Sequence, residues 1–460
     1  MTLIKSISGI RGTIGGAAGD NLTPMDVVLY TSAYACWLKK QQKSSPYRVV
    51  VGRDARISGS MVQGLVQQTL VGYGIEVLDL GLSTTPTVAV AVPEHQADGG
   101  IIITASHNPK EWNALKLLNR AGEFVDDDAG KTILEIAQRQ SFDFATVEEL
   151  GKVIAVDGAI EDHVKKVLAL DLVDVERIRK KQYHVVVDAV NSTGGIAIPL
   201  ILGGLGVSYV PLYCEPTGHF PHNPEPLKEH LSALSQRVVS EKADFGIVVD
   251  PDVDRLAFVD EKGVMFGEEY TLVACTDYVL SKTPGNTVSN LSSTQALSEL
   301  TQDRGGAYFA SAVGEVNVVE KMKTVNAVIG GEGNGGVIYP DLHYGRDALV
   351  GVALFLSLLS ERNIKVSDLK ATYTDYAMCK SKVLLSPEMD VDGILHYFAE
   401  QYAEKKPITI DGVKIIFEKA WVHLRKSNTE PIIRVCTEAA NEDLARALAR
   451  RFVLEIESYV

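Results

Sequence analysis

Two regimes of hydrophobic and polar spacing alternate along this chain, short β-branched runs and longer stretches at helical period, and the pair recurs. A strand-like run at 47–54 (YRVVVGRD) leads through a loop and an amphipathic stretch to a glycine-led return at 72–78 (GYGIEVL). The order repeats from 183–188 (YHVVVD) through 191–195 (NSTGG) to 204–210 (GLGVSYV), and more weakly from 286–291 through 292–294 to 305–309. Strand, helix, glycine turn, strand predicts a βαβ unit with a parallel pair. Runs without a polar member, 101–103 (III) and 247–249 (IVV), predict strands covered on both faces. The apolar run 348–359 predicts a buried helix; it is too short for a bilayer. The last ninety-odd residues read differently, as strand 382–385, helix 391–404, a hairpin at Asp411-Gly412, strand 432–436 and helix 441–457, with Asn441 as its cap. Three α/β units are followed by a smaller α+β tail.

Composition narrows the partners. With 59 acidic and 45 basic side chains the net charge is −14, opposite to the bias of a nucleic-acid binder. A hydrophobic content of 46% suffices for ordinary globular cores. Five scattered cysteines without a CxxC fit neither a disulfide framework nor a zinc site. The opening MTLIKSISGIRG has no apolar signal core. A cytoplasmic protein without nucleic-acid or membrane partners is therefore expected.

Four loops carry candidate chemistry. TASHNP (104–109) follows strand 101–103 and sets Ser106 where parallel sheets place ligands, with Lys110 and Lys116 nearby. It lacks the glycines of a hydrolase elbow, and Ser, Asn and Pro also make ordinary turns. DPDVDR (250–255) follows strand 247–249; carboxylates at Asp250, Asp252 and Asp254 are costly together unless a cation holds them, and oxygen ligands point to Mg2+. It is not an EF-hand, because Arg255 stands where glycine is required. GEGNGG (331–336) matches a dinucleotide pattern but opens no helix, which leaves a flexible loop presenting Glu332 and Asn334 to sugar hydroxyls or an amine, or a plain glycine turn. RKSNTEP (425–431), with Arg434 beyond it, is a dense donor set suited to phosphate. Together, one loop per unit, they suit phosphoryl transfer, where catalysis is positioning and charge neutralisation.

In that order the four motifs resemble those of the α-D-phosphohexomutases, over the whole chain. The resemblance implies three related α/β domains with mixed sheets and a smaller α+β C-terminal domain around a central cleft, expected at 1–155, 156–257, 258–367 and 368–460. It implies that Ser106 carries the transferable phosphoryl group. One Mg2+ would be held by Asp250, Asp252, Asp254 and a phosphoserine oxygen. His107, Asn108, Lys116 and Arg255 would surround the transferring group, with Arg11 of SGIRG also lining the cleft; His107 or Lys116 would be the general acid or base. Glu332 and Asn334 would hold the sugar. Arg425, Ser427, Asn428, Thr429 and Arg434 would grip the other phosphate. A sugar bisphosphate would be the intermediate and activator, turning over in the cleft as the last domain hinges near 366–371.

The resemblance implies a sugar phosphate as substrate. Ser289-Asn290 and Val313-Gly-Glu315 resemble phosphoglucosamine mutases, and Glu315 would suit a glucosamine ammonium. GEGNGG and Asn428 depart from that group towards phosphomannomutase/phosphoglucomutase relatives of broad specificity. A Mg2+-dependent sugar phosphatase and a non-catalytic sugar-phosphate binder are the rival classes. The chain is expected as a monomer or homodimer.

Overall fold

In the computed structural model of the protein, which describes residues 2–6, 9–41, 46–386, 389–426 and 432–459, four sheets succeed one another along the chain. The first three share one plan. A central strand (Tyr47–Arg53, His184–Asp188, Asn286–Asn290) crosses through a helix (Gly59–Gly72, Gly194–Leu205, Gln295–Asp303) to a parallel neighbour (Ile75–Leu82, Ser208–Leu212, Tyr308–Ser311). A second helix (Thr85–Glu94, Ser232–Glu241, Glu315–Val325) returns the chain to a parallel strand on the other side (Gly99–Ile103, Phe245–Val249, Ala327–Glu332). The chain then reverses into an antiparallel strand (Trp112–Leu118, Leu256–Asp260, Gly336–Ile338). Parallel pairing demands a long crossover, whereas the reversal needs only a short loop. That short loop is the same topological position in all three units, and the first three sequence motifs occupy it.

The first sheet is widened to seven strands by Ile4–Ser6 and Gly9–Thr13 at one edge and Val153–Ala155 at the other. Its central strands Tyr47–Arg53 and Gly99–Ile103 are covered on both faces, which is why they lack polar alternation. Val49, Val51, Ile101 and Ile103 pack with Val62, Val66 and Leu70, while Val50 and Ile102 pack with Val88 and Val92. The second and third units share a single core built around the helix Ala348–Arg362, whose residues up to Ser360 are all buried. Phe355 of that helix stacks on Phe258 of the second sheet at 3.7 Å between ring centres. No helix among the described residues is long and apolar enough to cross a membrane.

The fourth sheet is wholly antiparallel, in the order Ala377–Leu384, Ile432–Ala439, Ala420–Lys426, Val413–Ile416. Helices Val391–Gln401 and Glu442–Tyr459 accompany it, and the Asn441 Oδ1 accepts from the Leu444 N–H as a cap should. The expected hairpin at Asp411-Gly412 is present, Ile408 and Lys414 exchanging backbone bonds across it, whereas the strand Ala420–Lys426 escaped the sequence reading because it carries a buried polar member, His423. The expected hinge at 366–371 is packed down instead: Val366 and Leu369 are buried, and Ser367 is bonded to Glu261 through both its N–H and its hydroxyl. Anchoring continues to Tyr376, whose N–H donates to the Tyr270 hydroxyl. A pivot at 366–371 would have to release these contacts.

The third and fourth units meet over buried polar groups. His423 is wedged between the Ser292 hydroxyl (2.9 Å to Nδ1) and the Asp411 carbonyl (2.6 Å to Nε2). Burial, then the nearby Lys414 charge, outweighs the Asp411 bond and brings the imidazole down to about 4. Since the unfolded imidazole titrates near 6.5, the unfolded chain binds the extra proton between these values. Stability is therefore complete above about pH 6.5 and lost as pH falls towards 4. Denaturant melts across this window should show that slope in the native protein, and His423→Gln should reduce it by this residue's share.

Candidate functional site

The nucleophile loop begins where Gly99–Ile103 ends. Ser106 is buried and sits at φ 50°, a left-handed conformation that costs a non-glycine residue on the order of 1 kcal/mol or more. Three side chains hold it there. Thr104 Oγ1 accepts from the Ser106 N–H at 2.9 Å and itself donates to Asp54 Oδ2. Arg56, fully buried, donates through Nη2 to the carbonyls of Ser106 and Asn108 and through Nη1 to those of Pro109 and Trp112. Its Nε pairs with Asp54 at 3.0 Å, so all five guanidinium hydrogens are spent.

The second loop is brought to the first by packing between units. Ser106 Oγ donates to Asp250 Oδ2 at 2.7 Å across 144 residues of sequence. The other oxygen of Asp250 accepts the N–H groups of Asp254 and Arg255, folding the loop about its own first residue. Val253 lies at φ 63°, unusual for a β-branched side chain and a sign that the loop is held against its local preference. Thr85 of the first unit donates its hydroxyl to Asp252. Lys116 Nζ reaches Asp252 at 2.7 Å and Asp254 at 3.4 Å.

Asp250, Asp252 and Asp254 are fully buried, with one oxygen of each within 4.8 Å of the others. Burial, and then the charges of Asp252 and Asp254, push the Asp250 carboxyl well above the usual range. Asp252 is also pushed up by burial, but Lys116 and Thr85 bring it below its ordinary value. Two oxygens, Asp252 Oδ1 and Asp254 Oδ1, are buried without a hydrogen-bond partner. An oxygen cluster with unsatisfied lone pairs and mutual repulsion fits a hard divalent cation such as Mg2+.

GEGNGG forms a tight hairpin rather than the expected flexible loop, because Ala327–Glu332 runs directly into Gly336–Ile338. A Cβ at Gly333 would lie 2.1 Å from the Glu269 carboxylate, and one at Gly335 (φ 88°) 2.3 Å from the Leu256 carbonyl. These glycines serve close backbone approach. Glu332 is buried and accepts from Asn290 Nδ2, the Gly314 N–H and Arg346 Nη1. Asn334 is half-buried and accepts the Gly336 N–H.

Arg346, which the sequence reading did not single out, joins the second loop to the third. Its guanidinium reaches Asp254 (2.7 Å), Glu315 (2.9 Å) and Glu332 (3.0 Å). Glu315 is thereby committed: it takes both the side chain and the backbone N–H of Arg346. It does not stand free for an ammonium group, which corrects the role expected from sequence.

Positive charge converges on the same place. Burial, then Arg434 and Arg255, lowers the pKa of Arg11, so arginines of the first, second and fourth units lie within electrostatic reach of one another. The buried Arg11 Nε has no partner, and Arg255 Nη1 pairs with Glu225 at 2.9 Å. Clustered guanidinium groups are an anion's binding site. His107 is held well below its ordinary value, by burial first and then by Arg255, Arg346 and Arg11; its Nδ1 is buried and unpartnered. Asn108 Oδ1 is likewise unpartnered. Lys116 is opposed by burial, yet Asp252 and Asp254 push it up to about 12. Arg425 is paired with Asp411 at 2.7 Å. Ser427, Asn428 and Thr429 lie outside the described residues.

Comparison with known proteins agrees with this arrangement. Models of phosphoglucomutase/phosphomannomutase alpha/beta/alpha domains I, II and III match residues 3–144, 161–263 and 267–376, and the C-terminal domain model matches 363–455. A phosphoglucomutase/phosphomannomutase of Thermococcus kodakarensis is 36% identical over 95% of each chain. A phosphoglucosamine/phosphogalactosamine mutase of Sulfurisphaera tokodaii is 33% identical over 98% of each. The crystal structure of a putative phosphomannomutase from Thermus thermophilus superposes with a TM-score of 0.82 over 99% of each chain, at 24% identity. Four domains in order, with a serine loop meeting an aspartate loop at their junction, place this chain in the phosphoglucomutase/phosphomannomutase family.

Proposed function

We propose that the protein is a phosphohexomutase that carries its transferable phosphoryl group on Ser106 and interconverts 1-phospho and 6-phospho hexoses, with glucosamine phosphate preferred. The contact of Ser106 Oγ with Asp250 carries this reading, because it joins a strained, buried nucleophile to a cation-type cluster in another unit. Asp250, Asp252, Asp254 and an oxygen on Ser106 would hold Mg2+, which supplies charge neutralisation at the phosphoryl oxygens.

The chain's own groups divide the remaining work. Lys116 stays charged and steadies Asp252 and Asp254. His107, neutral and with Nδ1 unpartnered, is the better proton acceptor for a sugar hydroxyl. Arg11, Arg255, Arg425 and Arg434 attract the phosphates, a role that the motif in sequence also gives to Ser427, Asn428 and Thr429. Asn108 flanks the transferring group and Asn334 serves the sugar; Glu332, whose two oxygens already accept from Asn290, Gly314 and Arg346, must exchange one of these donors to hold a sugar hydroxyl. Burial excludes the water that would turn phosphoserine over to inorganic phosphate. Five free cysteines suit a reducing compartment.

The preference for glucosamine rests on Ser289-Asn290 and on relatives named phosphoglucosamine mutase. With Glu315 bound to Arg346, a broad phosphomannomutase/phosphoglucomutase reading is the second. Coupled assays with glucosamine, mannose and glucose 1-phosphates, each primed with its 1,6-bisphosphate, decide between them. The glucosamine substrate is expected to give the highest kcat/KM. Equal or faster turnover of the others refutes the preference, and phosphate release in place of isomerisation refutes the mutase. EDTA is expected to abolish turnover and Mg2+ to restore it.

A further inference from the structure

A second cluster of metal-type ligands lies behind the site. His163 sits on the helix Ala159–Leu168, which leads into the second unit; His343 and Asp347 flank Arg346 in the third. Three potential ligand atoms converge: Nε2 of His163 is 2.9 Å and Nε2 of His343 3.3 Å from Asp347 Oδ2, and all three fall within 4.8 Å. With Zn–N and Zn–O near 2.0–2.1 Å, the ligand atoms of a tetrahedral Zn2+ stand roughly 3.3 Å apart. The two histidine–aspartate contacts need to open by at most a few tenths of an ångström.

The outer contacts are those that orient ligands. His163 Nδ1, facing away from the cluster, bonds to Thr87 Oγ1 of the first unit at 3.0 Å. The other Asp347 oxygen is fixed by the Leu349 and Val350 N–H groups at the start of the helix Ala348–Arg362, leaving Oδ2 for the cluster. A histidine steadied on its far nitrogen and a carboxylate steadied on its far oxygen are the supports a metal site requires. The third ligand, His343, has a buried and unpartnered Nδ1, and its ring occupies space that a Cβ at Gly345 would fill, 2.9 Å from that nitrogen. A small cavity lined by His343, Gly345 and Arg346 adjoins this histidine.

We propose that His163, His343 and Asp347 form a transition-metal site, separate from the aspartate loop, that takes Zn2+ and ties the three α/β units together. Two imidazoles and one carboxylate select a borderline ion over Mg2+. The bound ion stiffens the segment that carries Arg346, and with it the span from Asp254 to Glu332. This does not depend on which sugar, or whether any sugar, is isomerised.

Co2+ titration of EDTA-treated full-length protein tests it, because four-coordinate nitrogen/oxygen sites absorb strongly in the visible and six-coordinate oxygen sites weakly. One equivalent is expected to give the strong bands in the wild type and in Asp252→Asn, with Zn2+ displacing it. His343→Gln, at the partly open edge of the cluster, is expected to lose those bands while keeping its circular dichroism. Thr87→Val is expected to weaken binding by about 10–100-fold. Absence of the strong bands in the wild type overturns the site, as does their survival in His343→Gln or disappearance in Asp252→Asn. The cluster is then a hydrogen-bonded tie alone.

Discussion

Ser106→Ala is expected to remove the single phosphate-sized increment from the intact mass of the purified protein and to lower turnover by at least about 10⁴-fold, the scale of losing a covalent nucleophile. Its Oγ points at Asp250 from 2.7 Å. The other hydroxyls bonded to the aspartate loop are already spent, Thr85 on Asp252 and Ser192 and Thr193 on the Pro251 carbonyl, so none of them replaces the serine. The fold should tolerate the change, because Thr104 and Arg56 hold the backbone of residue 106 rather than its side chain. One carboxylate oxygen loses a donor, a cost of about 1–3 kcal/mol. A Tm within a few degrees of wild type, together with lost activity, separates this outcome from misfolding. Turnover within tenfold of wild type would mean that the phosphoryl group is carried elsewhere.

The three-fold repeat was legible because its strands are buried on both faces. Runs such as Val49–Val51 and Ile247–Val249 have no polar member to blur the period, and glycine turns mark each return. The loops were legible where their chemistry is dense: three aspartates in five residues can hardly be neutral filler. Arg56 and Arg346 were not, because each acts through groups far away in sequence. Arg56 meets carbonyls about fifty residues on, and Arg346 meets Asp254 ninety-two residues back. The only local sign is position. Arg56 follows the strand Tyr47–Arg53, and Arg346 precedes the apolar helix capped by Asp347, both at strand or helix ends that face the junction. Glu315 misled for the same reason: its carboxylate was visible and its partner was not. GEGNGG misled because glycine signals close approach as readily as flexibility, and here Glu269 and the Leu256 carbonyl fill the space.

Arg56→Lys is the sharper test of how the nucleophile is held. The guanidinium spreads four hydrogens over four carbonyls of the loop and a fifth onto Asp54; an ammonium has three, from a single point. At least two of these carbonyls lose their donor, at about 1–3 kcal/mol where the carbonyl is buried, as that of Ser106 is, and less where water reaches it. The Asp54 charge keeps a partner, so the full loss of a buried pair, about 3–5 kcal/mol, is avoided and the chain should still fold. What changes is Ser106: with its carbonyl short of a donor, only the Thr104 bond opposes its return from φ 50° to an ordinary conformation, and Oγ is expected to swing away from Asp250. A displacement of about 1 Å at a reacting atom costs on the order of 10²-fold in rate. Because Arg56 touches no substrate in this reading, kcat should fall by about that factor while KM stays within a few-fold. The rate at which a sugar bisphosphate rephosphorylates the serine, followed by intact mass, should fall in step. A variant that melts several degrees lower but keeps its kcat would show that Arg56 supports the fold alone, and that the left-handed serine is held by Thr104.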